Sequence, residues 1–320
     1  MENQRITPLM EGGLLTAITV IMALMAVYLP VLGMVAALLW AVPVVLLVVR
    51  HGFRWGIMAI LVAGILMAVL IEPVLSLRMV LSFAPTGLLL GYGFRRGWSG
   101  TRTFLGAALA SIGAKGLSLG LVFAMTSVSP LDLQLEGMQE AFNETFAMYE
   151  AMGMDEAAIN EAKGQVSEAM LLVGILMPLV FVITGLVDTA VDYLVSGRIM
   201  KRLGISIAQF PPFREWRLSQ AFLYLMGFSL VGLYWGGTRE IEALYTISLN
   251  ANVLALLAGL LQGFSLLVYV CNRYRISFFL RAVMVLLVLA NGFLLHIVAF
   301  TGLFDMVFDY RRRFGGAEKN

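Results

Sequence analysis

Eight or nine long apolar runs succeed one another between Glu11 and Asp309, and that repetition limits the fold more than any other feature. Stretches such as 32–49, 55–70, 104–125, 170–187 and 244–270 are each long enough to cross a hydrocarbon core of about 30 Å, which takes about 20 helical residues. In lipid only helices and closed barrels satisfy their own backbone hydrogen bonds, and runs this long and continuous are helices. The chain therefore reads as all-α, a polytopic helical membrane bundle of eight to nine spans. Composition agrees: 60% hydrophobic and 13% charged residues leave too little polar surface for a soluble globule of 320 residues.

The apolar periodicity places spans near 12–29, 32–50, 55–72, 75–94, 104–126, 169–194, 219–236, 244–271 and 278–304. Orientation follows from the short loops that collect Lys and Arg. Arg50 and Arg54 follow the second span, Arg95, Arg96 and Arg102 the fourth, Arg198, Lys201, Arg202, Arg214 and Arg217 the sixth, and Arg273 and Arg275 the eighth. The alternate loops carry almost none. This asymmetry predicts a cytoplasmic N-terminus, with 127–168 on the outside. The first helix is expected to be retained, because no small-residue cleavage site follows it. Nine spans would leave Arg311, Arg312 and Arg313 outside, against the rule. Either one of the last three segments does not span or the tail is an exception; nine spans is the expectation.

Three parts result: a six-helix bundle over 1–203, a linker over 204–218, and two to three further spans with a basic tail over 219–320. Acids dominate the insert 127–168, while Leu135, Met138, Phe142, Phe146 and Tyr149 recur at helical spacing. The insert is either a solvated connector resting on the bundle or a lid over an outward-facing pocket. Gly153 is expected to end its helix, with Asp155 capping a second helix that leads into the sixth span. Two prolines, at 211 and 212, forbid a continuing helix in the linker. The Trp, Phe and Arg residues beside them suit the headgroup region or a docking surface.

The run Glu11-Gly12-Gly13-Leu14-Leu15 opens the first helix and Arg50-His51-Gly52 follows the second. With Pro211-Pro212-Phe213-Arg214-Glu215-Trp216-Arg217 and the ending 302–311, these residues resemble the YybS-like family of predicted bacterial membrane proteins over nearly the whole chain. The resemblance implies a bacterial cytoplasmic membrane protein and carries no assigned activity. The first six helices are also similar in layout to the substrate-binding S components of energy-coupling-factor vitamin transporters. That likeness implies a small molecule held near the outer face and a membrane coupling subunit as partner. S components meet that subunit through small residues four apart on the first helix, which here are Gly13 and Ala17, followed by the less regular Ala23 and Ala26.

Lys115 is the most conspicuous side chain. It falls about midway through the fifth span, where an ammonium costs roughly 2.5–3.5 kcal/mol on insertion scales and must find a partner or water. It is either a pocket cation for an anionic substrate or half of an internal ion pair with Asp188. Glycines at 113, 116 and 120 would let a neighbouring helix approach closely around it. Asp188 and Asp192 share one helix face and are expected to pair, hydrated, with Arg198 or Arg202. Glu72 and Arg78 flank the outer turn after the third span and are expected to pair across it; with Lys115 and Asn252 they are the substrate-binding candidates. Asn250, Asn252, Gln262 and Asn291 suit interhelical hydrogen bonds, and His296 is expected to be a satisfied core histidine. Partner docking falls to Gly13 and Ala17, or to Arg214, Glu215 and Trp216.

Several classes are set aside. One cysteine and two distant histidines supply no metal or haem ligand set, so no metal and no cofactor is expected. No phosphate-binding P-loop occurs. Gly116-Leu117-Ser118-Leu119-Gly120 matches a serine nucleophile pattern, but that pattern needs a strand–turn–helix elbow. Within a span its glycines would form a packing face, and no enzyme is expected. Basic residues at the membrane face are accounted for by anionic lipids, without nucleic acid. Binding or transport of a small molecule leads, a scaffold docking partners through 211–217 is the alternative, and an intramembrane serine hydrolase using Ser118 and His296 is the remote one.

Overall fold

The computed structural model describes residues 8–127, 129–208 and 210–315, and the regular structure among them is helical. The helices are α1 (Pro8–Tyr28), α2 (Pro30–Leu38), α3 (Val42–His51), α4 (Phe53–Leu70), α5 (Pro73–Arg95), α6 (Gly100–Thr126) and α7 (Pro130–Ala151). They continue as α8 (Glu156–Arg202), α9 (Ala221–Thr238), α10 (Glu242–Arg273), α11 (Phe278–Ala290), α12 (Gly292–Phe308) and α13 (Tyr310–Gly315), with one 3-10 turn at Phe213–Glu215. Among the described residues eight stretches are long and apolar enough to cross a membrane, α2 and α3 forming one of them over Val31–His51. This is a multi-pass helical membrane protein.

The chain forms two compact units. The first holds residues up to Met170 together with Val180–Phe210, and the second holds Leu171–Leu179 with residues from Pro211 onward. In the first, α1 lies against α2, α3 and α4, and α5 lies against α3, α4 and α6. Val20, Ala23, Trp40, Val44, Val48, Ala63 and Met67 are buried in its larger apolar cluster. Small residues set the closest approaches. A Cβ on Gly91 of α5 would lie 2.5 Å from Val48 Cβ of α3, and one on Gly87 only 3.1 Å from the Ala41 carbonyl oxygen. Gly52, at φ +107°, breaks α3 from α4 in a conformation that side-chain-bearing residues rarely adopt.

The segment expected as an insert behaves differently. α7 ends at Ala151, but α8 starts at Glu156 and runs 47 residues, about 70 Å, so the outer helix and the sixth span are one continuous helix. Of the α7 stripe Phe146 is buried, whereas Phe142 and Tyr149 are exposed. Lys163 of α8 lies 2.9 Å from Glu150 and 5.8 Å above the Phe146 ring, tying the start of α8 back along α7.

In the second unit, α10 packs on α9, α12 and the 3-10 turn. Gly259 and Gly263, four apart on α10, face Ala299, Val298 and Gly302 of α12 at backbone-to-backbone contact. Asn250 performs a separate repair. Its Oδ1 accepts from the Leu179 amide at 3.1 Å and its Nδ2 donates to the Ile175 carbonyl at 2.7 Å. The side chain is thus inserted into the backbone ladder beside Pro178, where one helical hydrogen bond is already missing.

The ninth span expected over 278–304 is a pair of helices with a sharp bend between them. α11 and α12 meet at 106°, and at 13 and 17 residues they reach only about 20 and 26 Å. Asn291 makes the break: its Oδ1 accepts from the amides of Phe293 and Leu294 at 2.9 and 3.2 Å, capping α12 instead of bridging helices. Arg281 of α11 donates to Asn272 Oδ1 and the Cys271 carbonyl at the end of α10. Beyond α12, Arg311 donates to the Arg214 carbonyl at 2.7 Å and Arg217 pairs with Asp309 at 2.9 Å. The end of α12 thus lies beside the segment that precedes α9.

Candidate functional site

The first unit encloses a cavity of about 330 Å³ bordered by α1, α2, α5, α6 and α8. Its walls are largely apolar, with Val27, Leu75, Met79, Phe83, Leu119 and Phe181 contributing. Two cations interrupt them. Lys115 of α6 is 8% exposed, and its Nζ lies 2.9 Å from Asp188 Oδ2, donates to Ser111 Oγ at 3.0 Å and sits 5.0 Å from the Phe83 ring centre. Arg78 of α5 lines the same cavity from an exposed position, and its guanidinium has no hydrogen-bond or ion-pair partner among the described residues. Ser118 Oγ donates to the Arg78 carbonyl at 3.4 Å, and Ser82 and Thr184 add hydroxyls to the wall. A volume at the small end of the ligand-pocket range, apolar walls and an uncompensated guanidinium suit an anionic group carried on an apolar body.

The neighbouring acids correct the sequence reading. Asp188 and Asp192 are 5% and 2% exposed, and neither meets Arg198 or Arg202. Their face of α8 turns inward, so Asp188 takes Lys115, while Asp192 Oδ1 is buried without a hydrogen-bond partner and the two arginines point to the surface. Glu72 is exposed and does not pair with Arg78. Nor do the α6 glycines serve as a packing face here, since a Cβ on Gly113, Gly116 or Gly120 would touch nothing within 4 Å. No described residue of 127–168 borders the cavity.

Of the substrate-binding candidates, Lys115 and Arg78 come together; Asn252 belongs to the second unit, donating to Ser229 Oγ at 3.1 Å and contacting Met226 Sδ at 3.2 Å. His296 is not a core residue. It is exposed, with Nδ1 2.7 Å from the Gly292 carbonyl of its own helix. Gly13 is exposed with nothing within 4 Å of an added Cβ, Ala17 is exposed, and Arg214 and Glu215 project outward as a 3.4 Å pair while Trp216 Nε1 donates to the Pro211 carbonyl.

One polar node escaped the sequence reading, and a second extends the interhelical role expected of Gln262. Glu11, 8% exposed, accepts from Arg50 at 2.6 Å and contacts His51 Nε2 at 2.7 Å, joining α1 to α3. In the second unit Gln262 Nε2 donates to Asp305 Oδ2 at 2.6 Å, and its Oε1 accepts from the Leu218 amide. Arg311 completes that node, donating to Ser265 Oγ at 2.9 Å with its Nε 3.5 Å from Asp305. Burial lowers the Arg311 pKa from its ordinary value, with Asp305 acting in the opposite direction. Glu11, Arg50 and His51 lie near the ends of α1 and α3, where a single charge beside an apolar run gives no hint of its partner.

A family model described as a predicted membrane protein, DUF2232, matches residues 17–306. The chain belongs to the DUF2232 family. The match takes in both DUF2232 units, and with them the Lys115–Asp188 pair and the Gln262–Asp305 node. The chain is also similar to the "Uncharacterized protein YybS" of Bacillus subtilis strain 168, with 24% identity over 312 residues covering 95% of this chain and 97% of that protein. No solved structure matches this DUF2232 chain.

Proposed function

We propose that this membrane protein binds, and with a partner's help transports, a small anionic molecule in the manner of an S component. The observation that carries the reading is the Arg78 guanidinium, unpartnered among the described residues, in an apolar cavity that Lys115 also lines. Charge recognition falls to Arg78, because Lys115 is already engaged by Asp188. The apolar wall selects the body of the ligand, and catalysis is not part of the proposal. The first helix is the partner-facing element, since Gly13 and Ala17 leave a second helix room to approach. The scaffold reading retains one favouring observation: the carbonyls of Phe213 and Trp216 are held by Ser265 Oγ while Arg214 and Glu215 face outward.

The test is a thermal-shift panel of aliphatic and aromatic carboxylates and phosphates on the detergent-purified full chain. A ligand at a hundred times its Kd stabilises by about 2.7 kcal/mol, and Arg78→Gln is expected to abolish that shift while leaving the unliganded midpoint in place. A Gly13→Leu, Ala17→Leu double variant should keep the shift and lose any co-purifying membrane protein. An unaltered shift in Arg78→Gln would remove the cavity as the binding site.

The location is the bacterial cytoplasmic membrane with the N-terminus inside, supported by the loop asymmetry of Lys and Arg. In a Cys271→Ala background, Ser99→Cys and Asn143→Cys are expected to react with a membrane-impermeant maleimide from opposite faces. Reaction from one face would overturn the orientation.

A further inference from the structure

A second concavity of the first unit, about 360 Å³, opens where α3 gives way to α4 and where α5 ends. Three guanidinium groups, Arg54, Arg95 and Arg96, line it together with His51, and no carboxylate does. Glu11, which meets the His51 of this lining, is held by Arg50 as well. Arg95 is fixed in place: its Nη1 donates to the carbonyls of Val49 and Val48 at 2.9 and 3.4 Å, closing the end of α3. Gly52 leaves room for it, since an added Cβ there would come within 3.6 Å of Arg95 Cζ. Arg96 lies 5.3 Å from the Tyr92 ring centre. Arg54 has no hydrogen-bond or ion-pair partner among the described residues. The concavity also lies at the N-terminus of α4, an 18-residue helix whose first amides point to the same end.

We propose that this concavity is a binding site for a phosphate group. Guanidinium forks match phosphate oxygens in pairs, and three of them on a surface with no competing carboxylate form an anion site. The site lies at the ends of membrane-spanning helices beside Trp55 and Tyr92, residues suited to headgroup depth. That position favours the phosphate of an anionic phospholipid, and a dissolved phosphate presents the same chemistry. The site is separate from the Arg78 cavity, and no residue lines both.

The experiment uses full-length protein in a non-ionic detergent, titrated separately with phosphatidylglycerol and with inorganic phosphate. Bound lipid is read by native mass spectrometry and bound phosphate by thermal shift. The variant is Arg54→Gln with Arg96→Gln; both side chains are exposed and neither holds the fold together. Arg198→Gln with Arg202→Gln removes the same charge from other exposed positions as a control. At least a tenfold loss of phosphatidylglycerol binding in the first variant, with the control unchanged, supports the site and names the lipid as its source. The same loss for inorganic phosphate alone supports the site with a soluble source. Equal losses in both variants would reduce the effect to general surface charge and overturn the proposal. Binding unaltered in the first variant, or absent from the parent with both probes, would overturn it too.

Discussion

Replacing Lys115 by Met is expected to destabilise the first unit by about 3–5 kcal/mol, the usual cost of leaving one partner of a buried ion pair uncompensated. Asp188 would then be stranded in a wall of apolar side chains, with Asp192 one helical turn away to repel it. Adding Asp188→Asn removes the stranded charge and should recover a substantial part of the loss. Denaturant unfolding of the purified protein in detergent reads the four corners of this cycle. If the double variant loses as much as the sum of the singles, the ammonium and carboxylate do not interact in the folded protein.

Gly302→Leu should be as damaging by an unrelated cause. A Cβ at Gly302 runs into the Gly259 carbonyl oxygen and the Gly263 amide nitrogen of α10, backbone atoms that no rotamer change can move aside. Overpacking a core commonly costs 1–3 kcal/mol, and a rigid backbone obstacle puts this variant at the top of that range, about 3 kcal/mol or more. Unfolding of the second unit would expose Cys271, now 2% exposed, so its alkylation rate gives a second readout. Gly116→Leu is the paired control. Nothing lies within 4 Å of its added Cβ, and it should change neither the unfolding midpoint nor the alkylation rate. Equal damage from the two substitutions would contradict the packing described for α10 and α12.

This pair of glycines also marks where sequence reading stops. A Gly-x-x-x-Gly spacing identifies a surface that can be approached closely, and residues 116–120 and 259–263 display it equally. Only the arrangement of other helices decides that the second pair is occupied and the first is open. The apolar runs were legible because hydrocarbon thickness acts on one segment at a time, independently of its neighbours. Lys115 announced its need for a partner for the same reason: a charge at mid-span is costly whatever surrounds it. The distance of Asp188 and Asp192 from the helix end suggests hydrated pairing with Arg198 or Arg202, which does not form because the rotation of α8 turns both inward. The Lys115–Asp188 pair, the other reading, is the one that does. At Asn291 a local competition decided the outcome. Its side chain can bridge helices or cap one, and capping won because the chain bends there.

The bend has a consequence for the depth at which α12 ends. Within the second unit the Arg217–Asp309 pair and the Arg311 contact with the Arg214 carbonyl hold the end of α12 beside the segment that precedes α9. A pair bent back at Asn291 thus returns Arg311 to the level of the linker, and spares it a position at mid-depth, where an arginine costs roughly 2.5–3.5 kcal/mol.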